Sequence, residues 1–198
     1  REDVEVQMSR FAASLPPDIE LVNVFDQTIE IRERLGVLAR DFAIALGLVL
    51  ITLLPLGPRA SVIVMVSIPL SLASGVLMMQ LTGYSLNQLS IAGFILSLGL
   101  LVDDSIVVTE NISRHLRMGA SRLKAALDGT KEIQAAVLGS TGVLIFAFLP
   151  IASLPGGAGL FTRSLPLAVI YTVSASLIVS LTIIPFLASR ILRRDDDP

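Results

Sequence analysis

Asp103 and Asp104 stand side by side in Gly99-Leu100-Leu101-Val102-Asp103-Asp104-Ser105-Ile106-Val107-Val108, a stretch otherwise apolar and set within a run long enough to cross a bilayer. A carboxylate at the centre of a membrane helix opposes insertion by about 2.5–3.5 kcal/mol, so two of them call for partners or protons. Adjacent carboxylates in a low dielectric repel when both are ionised. The chemistry this points to is a proton or ion pathway. Ser90, Ser97, Asp104 and Asn111 recur every seven residues around the pair, a spacing that drifts only about 20° per step on an α-helix and draws one polar seam. Asp103 and Glu110 form a parallel seam beside it. A stripe of this kind must look into a bundle or a wet cavity rather than at lipid.

Some members of the stripe have plainer uses. Ser90 and Ser97 are small hydroxyl residues of the type that lets membrane helices approach closely. Glu110 falls nearer the headgroups, and His115, the single histidine, follows Arg114 in a basic loop where a solvated, interfacial side chain is expected.

The elements that must position these groups are membrane helices. Hydrophobic residues make up 53% of the 198, mean hydropathy is +0.78, and charged residues are 16%, against about a quarter in an ordinary soluble domain. Five apolar runs, at about 37–56, 61–82, 88–112, 133–154 and 165–189, each reach the roughly 20 residues a hydrocarbon core requires. The expected fold is therefore an all-α transmembrane bundle over residues 36–198. Residues 1–35 read as a short α/β remnant of a larger, water-exposed domain: an amphipathic helix end at 5–11, a break at Pro16-Pro17, strand-like alternation at 19–25, and an amphipathic entry helix from Thr28 to Arg40. The N-terminal residues lack a basic-then-apolar signal pattern and read as the interior of a longer chain.

Lys and Arg set the expected orientation. Arg59, the group Arg114, Arg117, Arg122, Lys124 and Lys131, and the terminal Arg190, Arg193 and Arg194 fall on one side of a five-span bundle, while the opposite loops hold only Arg163. The basic side is expected to be cytoplasmic, leaving residues 1–35 and the loops at 83–87 and 155–164 outside. Ala135 and Gly139, and Thr172, Ser176 and Ser180 at four-residue spacing, offer small or hydroxyl faces for helix contact. Gly156-Gly157-Ala158-Gly159 reads as a flexible outer loop, without the Lys and the strand-to-helix context of a phosphate loop. Cys is absent, which excludes disulfides and thiolate metal sites. No Ser/His/Asp set or metal cluster points to an enzyme; the net charge of -2 says little, because the charges are segregated by region, and nucleic acid is not indicated.

The run from Gly99 through Val108 and on to Thr109-Glu110-Asn111-Ile112 resembles the fourth-transmembrane-helix signature of the resistance-nodulation-division superfamily, in particular its hydrophobe/amphiphile efflux pumps of the AcrB kind. Phe25-Asp26-Gln27 resembles the segment leading out of that family's porter domain, Arg59 its basic turn after helix two, and Ile68-Pro69-Leu70-Ser71 its helix-three proline motif. Gly83-Tyr84-Ser85-Leu86-Asn87-Gln88-Leu89-Ser90 resembles the turn into helix four, and Ile184-Pro185-Phe186-Leu187-Ala188 the end of helix six. The resemblance covers nearly the whole chain, as the end of a porter subdomain and helices two to six. It implies a proton-driven drug/proton antiporter of the bacterial inner membrane, a homotrimer working with a periplasmic adaptor and an outer-membrane channel on small amphiphilic substrates. Asp103 and Asp104 match the family's proton-binding aspartates, the coupling ion is the proton, and no cofactor or metal is implied. A Lys and a Thr on helices beyond this chain complete the site in the family.

Details sort the subgroups. Metal exporters of the superfamily usually carry Gly where Asp104 stands and a further Asp near Ser97, and protein-export relatives carry Asp-Ala-Asn in place of Asp103-Asp104-Ser105. Leu56-Gly57-Pro58 departs from the aromatic and polar residues common before the basic turn of drug pumps. The alternative from a different class is a non-pumping module that senses lipid or sterol with the same bundle architecture. The aspartate pair disfavours it.

Overall fold

A computed structural model describes residues 57–192 without a break, and residues 7, 8, 11, 16, 36, 37, 40, 43, 44, 47, 48 and 51 before them. The chain forms two compact units, Arg1–Gly36 and Val37–Pro198. In the first, residues 7, 8, 11 and 36 are helical; the strand expected at 19–25 and nearly all of the entry helix expected from Thr28 lie outside the described residues. In the second, residues 37, 40, 43, 44, 47, 48 and 51 are helical, and the rest of the first span expected at 37–56 lies outside the described residues. No strand occurs among the described residues.

Five helices follow: α1 (Pro58–Leu81), α2 (Gln88–Arg117), α3 (Arg122–Ala152), α4 (Gly156–Thr162) and α5 (Ser164–Ile191). The four long ones are each long and apolar enough to cross a membrane. α1 starts where Pro58 occupies the first turn, the place where a missing N–H and a fixed φ suit a helix. α2 starts at a reciprocal cap. Asn87 Oδ1 accepts from Ser90 N at 2.9 Å and Ser90 Oγ accepts from Asn87 N at 2.8 Å, a motif whose side-chain cap contributes about 1 kcal/mol. Ser164 Oγ donates to the same Asn87 Oδ1 at 3.1 Å, tying the start of α5 to the start of α2.

Packing explains where the helices end. α2 runs to Arg117 rather than stopping near 112, and α3 begins at Arg122, eleven residues ahead of the apolar run at 133–154. Both extensions are amphipathic: Ile112 and Leu116 face Ala125 and Ala126, all buried, while Arg117, Leu123 and Lys124 point outward. Gly129 makes that contact possible, since a Cβ there would stand 3.1 Å from Ile112 Cα and 3.3 Å from a ring carbon of His115. Ala135 and Gly139, expected to pack, are exposed instead, because α3 turns Ala125, Ala126, Gly129, Val137 and Thr141 toward its neighbours. The expected flexible loop at 156–159 is the first turn of α4; Gly156 takes φ 80°, a conformation open to glycine, and so lets the chain turn from Pro155 into a helix.

α5 is the hub, in contact with α1, α2 and α3. Its buried ridge is Thr172, Ser176, Ser180, Ile184 and Ala188 at four-residue spacing, so the hydroxyl face read from the sequence is the packing face.

Candidate functional site

The aspartate pair lies in the middle of α2, and the backbone turns its two members apart. Leu101, Val102 and Ser105 are buried against the other helices, which leaves Asp103 on the exposed stripe with Leu96, Gly99, Val107, Glu110 and Arg114. Asp104, one residue and about 100° further round, points toward α3. Its Oδ2 accepts a hydrogen bond from Thr141 Oγ1 at 3.1 Å. Thr141 is itself buried, 1% exposed, and is a fixed neutral donor rather than a counter-charge. No ion pair among the described residues reaches either aspartate. The arrangement is an intramembrane carboxylate pair, one member half-buried with a single hydroxyl partner, the other open to whatever covers the exposed stripe of α2.

The polar seam divides into two environments. Ser90 and Ser97 are fully buried, and their hydroxyls are spent on the backbone of α2: Ser90 in the cap, Ser97 donating to Phe94 O at 2.8 Å. Asp104 and Asn111 instead face α3, where Asn111 Nδ2 donates to Gly129 O at 2.7 Å and to Glu132 Oε2 at 3.2 Å. The seam splits because α3 covers only the later half of that face of α2. Glu110 is exposed beside it.

A second carboxylate centre, not legible in the sequence, sits two turns along α2 from Asp104. Glu132 accepts from Arg114 Nη2 at 2.7 Å on both carboxylate oxygens and lies 2.8 Å from His115 Nε2. Arg114 Nε donates to Asn111 Oδ1 at 3.0 Å, which closes the network. His115 is therefore not the solvated side chain expected of it. It is 19% exposed, held between Glu132 and Gly129. The four-residue rhythm of Ala125, Gly129 and Ile133 packs this part of α3 onto α2 and brings Glu132 with it. Neither Thr141 nor Glu132 carries any local mark of its partner.

Among the described residues no group of His, Cys, Asp and Glu could hold a metal ion.

Comparisons with known proteins cover the chain from end to end. It is 34% identical over 194 residues to the "Multidrug resistance protein MdtC" of Pectobacterium carotovorum, covering 97% of this chain and 19% of that protein. The proteins of the same name from Photorhabdus laumondii and Yersinia enterocolitica are each 35% identical over 192 residues, 96% of this chain and 18% and 19% of their own lengths. The chain thus spans about a fifth of the relatives it matches. The AcrB/AcrD/AcrF family matches residues 1–198. This chain, a helical bundle carrying an intramembrane aspartate pair, belongs to the AcrB/AcrD/AcrF family of resistance-nodulation-division transporters.

Proposed function

We propose that this chain is the proton-coupling part of a drug/proton antiporter of the bacterial inner membrane, with Asp103 and Asp104 as the groups that load and release protons. The observation that carries the reading is the poverty of their surroundings. A carboxylate pair at membrane depth with one hydroxyl partner between them is tolerated when protonated and needs a cation or water when ionised. Each transport step then changes what the exposed stripe of α2 attracts. A membrane potential contributes about 2.3 kcal/mol per charge per 100 mV, and protons are the only coupling ion the site needs.

The remaining parts follow from the same family. The counter-charge is a Lys on a helix outside this chain, approaching Asp103 or Asp104 in one state and withdrawing as they protonate. The full-length protein is a homotrimer exporting small amphiphilic compounds through a periplasmic adaptor and an outer-membrane channel, and residues 1–35 lie in the periplasm. The relatives' name, multidrug resistance protein, supports this substrate class.

The test is to replace Asp103→Asn and Asp104→Asn separately in the full-length transporter. Drug resistance should fall to that of cells without the transporter, while expression and trimer formation persist. Near-normal resistance with either substitution would sink the assignment.

A further inference from the structure

Helical serines and threonines in this molecule usually donate their hydroxyl to a carbonyl one turn back. Ser67 does so to Val64 O at 2.7 Å, Ser105 to Leu101 O at 3.2 Å, Ser140 to Val137 O at 3.0 Å and Thr172 to Ala168 O at 2.6 Å. Two fully buried hydroxyls break the pattern. Thr109 Oγ1 on α2 and Ser180 Oγ on α5 have no hydrogen-bond partner, and both residues are 0% exposed. The other two such atoms among the described residues, Thr130 Oγ1 and Arg163 Nε, belong to residues that are only partly buried. A buried hydroxyl left unpaired is costly, and folded proteins satisfy such groups, commonly with an internal water.

The register of the helices brings one of the unpaired groups, Ser180, level with two other buried serines. α1 and α5 run antiparallel, and a Cβ on Gly75 would stand 3.1 Å from Thr172 Cα. α2 and α5 run parallel, and Ser176 Oγ donates to Leu101 O at 3.3 Å. Two turns from Gly75 and Thr172 lead to Ser67 and Ser180; one turn from Leu101 and Ser176 leads to Ser105 and Ser180. Ser67 Oγ and Ser105 Oγ are themselves 2.9 Å apart. Both counts therefore end on one layer of three serines, each 2% exposed or less. Thr109 lies one turn beyond Ser105 on the same ridge of α2, beside a layer of Ile63, Ile112 and Ile184, all 0% exposed. Serine side chains are smaller than the isoleucines next to them, and each presents a polar oxygen of the kind that holds a buried water.

We propose that the junction of α1, α2 and α5 is a binding site for an ordered internal water held by Ser67, Ser105 and Ser180, with Thr109 as a fourth partner. A water there makes the three or four hydrogen bonds usual for buried water and satisfies both unpaired hydroxyls at once. The site is separate from the carboxylates, because Asp104 turns away from this junction toward Thr141. It does not depend on the proton-antiport reading.

Cryo-electron microscopy of the full-length protein in nanodiscs, at a resolution that shows ordered water, should reveal a density peak within hydrogen-bond distance of Ser180 Oγ and of Ser67 or Ser105. Ser180→Ala should abolish the peak and lower the melting temperature. A dry junction predicts the opposite, since removing an unsatisfied hydroxyl relieves a penalty and should raise the melting temperature. Absence of the peak in the unmodified protein overturns the proposal whichever way the melting temperature moves, as does a peak that Ser180→Ala leaves in place.

Discussion

Two carboxylates on the α2–α3 interface, two helical turns apart, have opposite surroundings. Glu132, at the basic end, is gripped by Arg114, His115 and Asn111 in a closed network. Asp104, at membrane depth, has one hydroxyl, and its neighbour Asp103 is exposed. A carboxylate engaged on both oxygens by a guanidinium, an amide and an imidazole links two helices to each other. One with a single neutral donor is free to exchange a proton or a partner. The same pair of helices thus carries an anchor at one end and an unfinished site in the middle, and the difference lies in which partners the helix register delivers.

The comparison is broken most severely by exchanging the roles. Asp104→Asn should abolish export while leaving the melting temperature of the full-length protein nearly unchanged, whereas Glu132→Gln should lower the melting temperature and preserve most export. Equal effects of the two substitutions on both readouts would remove the distinction. Gly129→Val attacks the anchor sterically. A side chain there meets Ile112 and His115, an overpacking that costs about 1–3 kcal/mol, so thermal unfolding should shift downward by more than for Glu132→Gln. An unshifted transition would show that the α2–α3 contact is loose.

Thr141→Val probes the other end more gently. It keeps the shape and removes the donor to Asp104; a hydrogen bond of this kind contributes about 0.5–1.5 kcal/mol, so export should weaken by up to about tenfold without being lost. Resistance equal to that of the unmodified transporter would mean that Thr141 has no part in setting the site. The smallest expected effect is positional. Ala120→Cys, at the basic turn, should resist an impermeant thiol reagent in intact cells, and Gly157→Cys should react. The reverse labelling would place the anchor, rather than α4, at the outer face.

The sequence spoke most clearly where physics allows few alternatives. Runs of about 20 apolar residues have to span, so α1, α2, α3 and α5 fall where hydropathy places them. Asp103 and Asp104 stand out because a charge there is expensive. Helix ends at the basic side were less legible, since 113–117 and 122–132 mix charges with the buried Leu116, Ala125 and Ala126, and such mixtures read as loop until the partner helix is known. Tertiary partners were not legible at all. Thr141 looks like any hydroxyl in an apolar run, and Glu132 meets His115 across 17 residues of chain. Ala135 and Gly139 show the converse: small residues at helical spacing permit contact but do not say on which face it forms.

The central claim is that the aspartate pair, and not the anchored glutamate, takes up and releases protons. Infrared difference spectroscopy of the full-length protein between acidic and alkaline buffer reads protonated carboxyl groups directly. The expected result is a protonated-carboxyl band that is diminished by Asp103→Asn and by Asp104→Asn and retained in Glu132→Gln. A band untouched by either aspartate substitution, or one that disappears with Glu132→Gln, would contradict the account.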